Sequence, residues 1–175
     1  MKSECVNEVY THAVHVIKVD LNYRGQPPAR QIMSQKEVIV SRLAGLWYPI
    51  FCNISHPAQM QDISAVDDDS IHVKQVFRTL CVDFKRESGD LEGTFYTVDN
   101  TCCFCFQLPP NIYRVLETDY DRYLVSLFEN GGGKVVFILG RDGNLAEDVE
   151  LIDRLKGEIQ AKCGIKKEQM VSCKK

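Results

Sequence analysis

The sequence predicts an all-β protein, an eight-stranded antiparallel up-and-down β-barrel with one C-terminal α-helix packed on its outside. Three observations lead there. The run from Ile112 to Arg141 holds three strand-length segments rich in β-branched and aromatic residues, parted by Thr118-Asp119-Tyr120 and by the glycine triplet Gly131 to Gly133. Breaks this short and polar or glycine-rich suit hairpins. Further alternating segments upstream bring the count from Trp47 onward to about eight, and eight antiparallel strands can close on themselves and abolish exposed edges. Behind the last strand the apolar residues Leu145, Val149, Ile152, Leu155 and Ile159 recur at steps of four and three, one stripe of a helix.

A chain of 175 residues is long enough for one domain with a sizeable core. Its net charge of −3, with basic residues scattered among acidic ones, gives no footprint for nucleic acid or for an anionic membrane surface. No apolar run approaches the roughly 18 residues of a membrane-spanning helix, so membrane insertion is not expected. The organisation read from the chain is an N-terminal arm over 1–33 and a barrel domain over 34–173, with the helix at about 144–163.

Within the arm, Val9 to Leu21 is moderately apolar but carries His12, His15, Lys18 and Asp20, which spoils it as the core of a signal peptide. Arg24-Gly25-Gln26-Pro27-Pro28 then breaks regular structure. Ser34 and Glu37 form a capping-box pair ahead of Val38, Ile39, Val40 and Leu43, which predicts a short helix leading into Gly45. Gly45 to Phe51 opens the first strand and contains the chain's single tryptophan, Trp47, expected in the core. Asn53-Ile54-Ser55 is a glycosylation sequon, meaningful only if the chain is exported.

Asp67-Asp68-Asp69 reads as a solvated turn, because no spaced glycine and glutamate complete a calcium loop. Ile71, Val73 and Phe77 alternate with His72, Lys74 and Arg78, and Leu91, Gly93, Phe95 and Thr97 with Glu92 and Thr94. Cys102, Cys103 and Cys105 suggest a soft-metal cluster, but zinc needs four ligands and strand alternation sends Cys102 away from the other two. They read as small buried residues, with no metal. Tyr113 and Val115 face one way and Arg114 the other, whereas both parities of Val135 to Leu139 are apolar, so something must cover that strand's outer face. The cover is the helix, with Asn144 as its N-cap, Glu147 three residues on, Asp148 in the first turn and Gly164 as its stop.

The positions expected to face inward are Phe51, Ile71, Val73, Phe77, Phe95, Tyr113, Val115, Phe137 and Leu139, with Gln75 as a polar handle. Such a lining takes a small hydrophobic ligand by desolvation, needs no cofactor and requires nothing catalytic.

Gly45-Leu46-Trp47 at the first strand, Thr118-Asp119-Tyr120 in a tight turn and Ile138-Leu139-Gly140-Arg141 ahead of a helix resemble the three motifs of the lipocalins, in order and on the right elements. The resemblance covers roughly Ser34 to Cys173. Through Val76 to Cys81 and Glu117 to Asp121 the chain is most similar to the group of alpha-1-microglobulin, lipocalin-type prostaglandin D synthase and the complement component 8 gamma chain. It implies that Arg141 crosses the closed end of the barrel over Trp47, that Cys81 pairs with Cys173, and that the protein is secreted. It also implies transport or sequestration of a lipophile. An isomerase like prostaglandin D synthase needs an activated thiol on the second strand, where this chain offers Gln59 or Met60, so catalysis is not expected unless Cys52, near the mouth, has taken over. A protein partner, as the complement chain has, would use the barrel mouth or an odd thiol such as Cys5 or Cys52.

Overall fold

The computed structural model describes residues 34–54, 60–75, 81–87, 89, 92–98, 111–130 and 133–173. A one-turn helix α1 (Val40–Leu43) leads into β1 (Gly45–Cys52), followed by β2 (Gln61–Asp67), β3 (Ser70–Gln75), β4 (Cys81–Lys85), β5 (Thr94–Thr97), β6 (Ile112–Thr118), β7 (Tyr123–Asn130) and β8 (Gly133–Gly140). A 3₁₀ turn at Gly143–Glu147, helix α2 (Val149–Cys163), a second 3₁₀ turn at Lys167–Gln169 and a two-residue strand β9 (Val171–Ser172) follow. From β1 to β8 each strand pairs antiparallel with the next in the chain, and β8 pairs antiparallel with β1. The eight strands therefore close into a barrel, with α2 on its outside. The ninth strand, which the alternation of apolar residues is too short to reveal, adds to the outer edge of β1 at Phe51 and Cys52.

Two cores follow from the pleat. Side chains of one parity fill the barrel: Trp47, Ile63, Ile71, Val73, Phe84, Phe95, Tyr113, Val115, Leu124, Phe137 and Leu139 among them. The other parity of β6, β7 and β8 meets the helix, where Leu116, Val125, Leu127, Val136 and Ile138 pack against Leu145, Ile152, Leu155 and Ile159. Each such side chain removed from water contributes about 2 kcal/mol, which is what fixes α2 to the barrel. The doubly apolar β8, like β1, β6 and β7, supplies side chains to both cores.

The helix is shorter at its start than its sequence suggests. Asp142 accepts from the Asn144 backbone N–H and caps the 3₁₀ turn, and Asp148, not Asn144, caps α2 by accepting from Leu151 N–H. Val149, assigned to the apolar stripe, is 72% exposed in consequence. Gly164 ends α2 in the left-handed conformation as expected. Ser34 does not cap α1: its hydroxyl bonds that of Thr94 at 2.9 Å, and the helix starts only at Val40. Of the alternating segments read from the sequence, Ile71 and Val73 lie on β3 and Phe95 and Thr97 on β5, whereas Phe77, Arg78, Leu91, the segment Cys102 to Phe106 and the arm over 1–33 lie outside the described residues.

The Asp67 to Asp69 turn is not merely solvated. Arg86, 5% exposed, donates to Asp69 Oδ1 at 3.1 Å, to Asp68 O at 2.7 Å and to Val38 O at 3.0 Å, clamping the β2–β3 hairpin to the segment before α1. That segment is also laced to the barrel through its backbone, with Gln35 N–H on Val115 O and Gly93 N–H on Gln35 O, both at 2.9 Å. Only glycine fits at 93, since a Cβ there would stand 2.8 Å from Val115 O and 2.9 Å from Val38 Cγ2.

Candidate functional site

The barrel has a sealed end and an end where its walls become accessible. At the sealed end the guanidinium of Arg141 stacks 3.6 Å from the centroid of the Trp47 ring. Its donors reach Tyr120 O at 3.1 Å, Arg42 O at 3.1 Å and Leu46 O at 3.4 Å, while Trp47 Nε1–H donates to Leu43 O at 2.8 Å. Gly45, at φ +113°, lets the guanidinium in, because a Cβ would approach Arg141 Nη1 to 2.8 Å. Thr118, Asp119 and Tyr120 shape the turn beside it. The Thr118 hydroxyl donates to Tyr123 O and accepts from Tyr120 N–H, and Asp119 Oδ1 accepts from Arg122 and Tyr123 N–H. The Tyr120 hydroxyl in turn accepts from Ile39 N–H at 3.0 Å, so α1 is held across the barrel floor.

Above the floor the inner wall is apolar. Ile71, Phe95, Val115 and Leu139 are completely buried and Tyr113 nearly so, all in the interior cluster. Nearer the mouth Val73 and Phe137 regain slight exposure, and Val82, Phe128 and Val135 are only partly buried. The change from sealed to accessible apolar side chains along one axis locates the candidate ligand site at the mouth half of the barrel.

Phe51 does not belong to it. Alternation from Trp47 puts it inside, but a bulge between Pro49 and Phe51 places both Ile50 and Phe51 on the outer face, where Phe51 packs in the helix-side core under Lys156 Nζ, 3.7 Å from its ring centroid. The same bulge turns Cys52 inward, fully buried in the interior cluster. The backbone of Gln75 pairs with that of Gln61, but its side chain, like all of Phe77, lies outside the described residues.

Two inward polar residues escape a reading that scores strands by their apolar positions. Gln61, 2% exposed, accepts from the Tyr113 hydroxyl through Oε1 at 3.4 Å. Ser126, 0% exposed, lies across from Val115 and Phe137, two inward residues, and so faces the interior. Its Oγ makes no hydrogen bond of good geometry, although the Tyr113 hydroxyl lies near enough to feel it. Burial pushes the Tyr113 phenol up to about 12, opposed only in part by the nearby Ser126 hydroxyl, so this layer resists negative charge. The signal available was parity: Ser126 shares a face with Leu124 and Phe128.

At the mouth Cys173 Sγ stands 3.1 Å from Cys52 Sγ, with Cys173 N–H on Ile50 O at 2.9 Å. This is a contact longer than the roughly 2.05 Å of a disulfide bond. Cys81 begins β4 on the same mouth side, in register with Lys74. The side chain of Asn53, the sequon asparagine, ties β1 to β8: its Nδ2 donates to Lys134 O at 3.0 Å and its Oδ1 accepts from Val136 N–H at 2.8 Å. Among the described residues no group of His, Cys, Asp and Glu side chains is arranged to hold a metal ion, and no helix is long and apolar enough to cross a membrane.

No family model matches the chain, and no curated protein is significantly similar to it. Among solved structures it is similar to the solution structure of lipocalin 12 from rat epididymis, with a TM-score of 0.64 and 18% identity over 85% of this chain and 93% of that one. At that identity the likeness is one of fold, a lipocalin-like closed barrel with its outer helix.

Proposed function

We propose that this protein binds a small hydrophobic molecule in the mouth half of its barrel and transports or sequesters it without chemical change. One observation carries the reading: apolar side chains that are sealed near Trp47 become accessible toward the opposite end, at Val73, Val82, Phe128, Val135 and Phe137. Burying a lipophile against them yields about 0.8 kcal/mol per CH₂. Of the residues assigned to the lining, Ile71, Val73, Phe95, Tyr113, Val115, Phe137 and Leu139 belong to this reading, with Val73 and Phe137 in direct reach of the mouth. Native mass spectrometry of the purified protein is expected to find a co-purified lipophile, or a stoichiometric complex after screening with neutral lipophilic probes. Failure to bind any apolar probe would sink the reading and favour a protein partner at the mouth.

Secretion, kinship with the alpha-1-microglobulin group and a Cys81–Cys173 link belong to the same proposal. They are supported by the motif residues and by the place of both cysteines at the mouth end. Closing a loop of roughly 90 residues would contribute about 4–5 kcal/mol in the chain-entropy model. The link forms as two thiols give up two protons and two electrons to a small-molecule disulfide such as oxidised glutathione. Peptide mapping under non-reducing conditions after refolding in a glutathione buffer is expected to recover Cys81 joined to Cys173. Recovery of Cys52 joined to Cys173, the pair already in contact, would replace that assignment.

A further inference from the structure

Inside the barrel one polar layer interrupts the apolar wall. It consists of Gln61, Tyr113 and Ser126, each at most 2% exposed. A buried hydroxyl with no partner costs free energy, so its retention at a fully enclosed position calls for a reason. Ser126 Oγ is the one such side-chain atom among the described residues. Its surroundings point to the mouth: the cross-strand neighbour Phe137 keeps 5% exposure, and Phe128 and Val135, one step higher on β7 and β8, are partly open. Phe84 braces this layer, 5.5 Å from the Tyr113 ring and 6.3 Å from that of Phe128, centroid to centroid. Tyr113 lies opposite Phe128 and Ser126 opposite Val115, one inward step deeper, so a chain entering past Phe128 would reach the Tyr113 and Ser126 hydroxyls in turn.

The layer also selects by charge. Among the described residues Arg86 is the only charged side chain that is buried, and its guanidinium is committed to Asp69, Asp68 O and Val38 O at the sealed end. Lys134 stands exposed at the start of β8, and Arg114 projects outward to Glu129 at 2.7 Å. No described cation therefore faces the barrel interior to hold a carboxylate, and an unpaired anion buried there would be strongly disfavoured.

We propose that Ser126, with Gln61 and Tyr113, is the polar seat of the hollow, and that the ligand is a lipophile with one uncharged hydrogen-bonding head group, a hydroxyl, carbonyl or amide. This rests on the carrier reading above. Ser126 Oγ can donate to a carbonyl or accept from a hydroxyl or amide, and the Tyr113–Gln61 pair, long at 3.4 Å, can turn one of its members to the same head group.

The test compares three probes with one chain length, hexadecanol, hexadecanamide and hexadecanoate, at pH 8, each displacing the neutral dye Nile red. The alcohol and the amide are expected to bind at least tenfold more tightly than the carboxylate. Ser126→Ala is expected to weaken both neutral probes about fivefold and so to narrow their advantage over hexadecanoate. Tyr113→Phe provides a second variant with the same expected direction. Equal affinity for all three probes, preference for hexadecanoate, or no effect of Ser126→Ala on the neutral probes would overturn the head-group assignment and leave the carrier reading standing. Failure of Nile red and of every probe to bind would overturn both.

Discussion

Arg86→Ala is expected to destabilise the barrel by about 3–5 kcal/mol, the scale for breaking a buried ion pair from one side. For a domain of this size that is a fall in Tm of roughly 6–20 °C, at about 2–4 °C per kcal/mol. The reason lies in what the truncation strands. Asp69, with a side chain 24% exposed, loses the partner at 3.1 Å, Val38 O loses a buried donor, and the backbone of Asp68 loses a bond of 2.7 Å. These three acceptors sit on two segments far apart in the chain, so the change also frees the β2–β3 hairpin from the strap that precedes α1. Differential scanning calorimetry checks the magnitude, and Arg86→Met separates charge from packing by keeping a stem near Phe95. A Tm within about 2 °C of the parent for Arg86→Ala would show that the clamp carries no stability. Asp69→Asn should cost less, because the amide can still accept from Arg86 and the two carbonyl bonds remain.

That clamp was invisible in the sequence, and the reason is general to this chain. The elements legible beforehand are those whose periodicity is long: β6, β7, β8 and the apolar face of α2 all lie where alternation and the stripe at Ile152, Leu155 and Ile159 put them. Three acidic residues in a row look solvated because nothing local reveals a guanidinium 17 to 19 positions later. Phe51 was misread for a related reason. One bulge between Pro49 and Phe51 inverts the parity of everything after it on β1, exchanging Phe51 for Cys52 as the inward side chain. The polar seat was missed because a glutamine and a serine on a strand read as outward positions until the register with Trp47 and with Phe137 is known. The floor was the most legible part of all. The resemblance pointed to Arg141 over Trp47, and the two do stack; Gly45 and Tyr120 meet the same guanidinium.

Arg141→Ala should open that floor, at a cost of about 2–4 kcal/mol. The stacked guanidinium contributes up to about 2 kcal/mol on the indole face when partly desolvated, and its three carbonyl bonds contribute the rest, discounted because the rim can rehydrate. The variant should therefore melt several degrees below the parent, and the effect has its own optical reporter. Trp47 is the only tryptophan in the chain and is 0% exposed, so its emission maximum is expected to move to longer wavelength as water reaches the ring. Arg141→Lys keeps the charge but loses the planar face and the fork that reaches Tyr120 O, Arg42 O and Leu46 O together, and should recover less than half of the lost stability. Gly45→Ala attacks the same contact from the other side, forcing the guanidinium off a Cβ that would stand 2.8 Å from Nη1 on a backbone at φ +113°. Because both changes break one stack, their costs should fall short of additive in the double variant. Full additivity, or an unshifted tryptophan spectrum in Arg141→Ala, would mean that the indole is sealed by α1 through Leu43 O alone and that the arginine is a bystander.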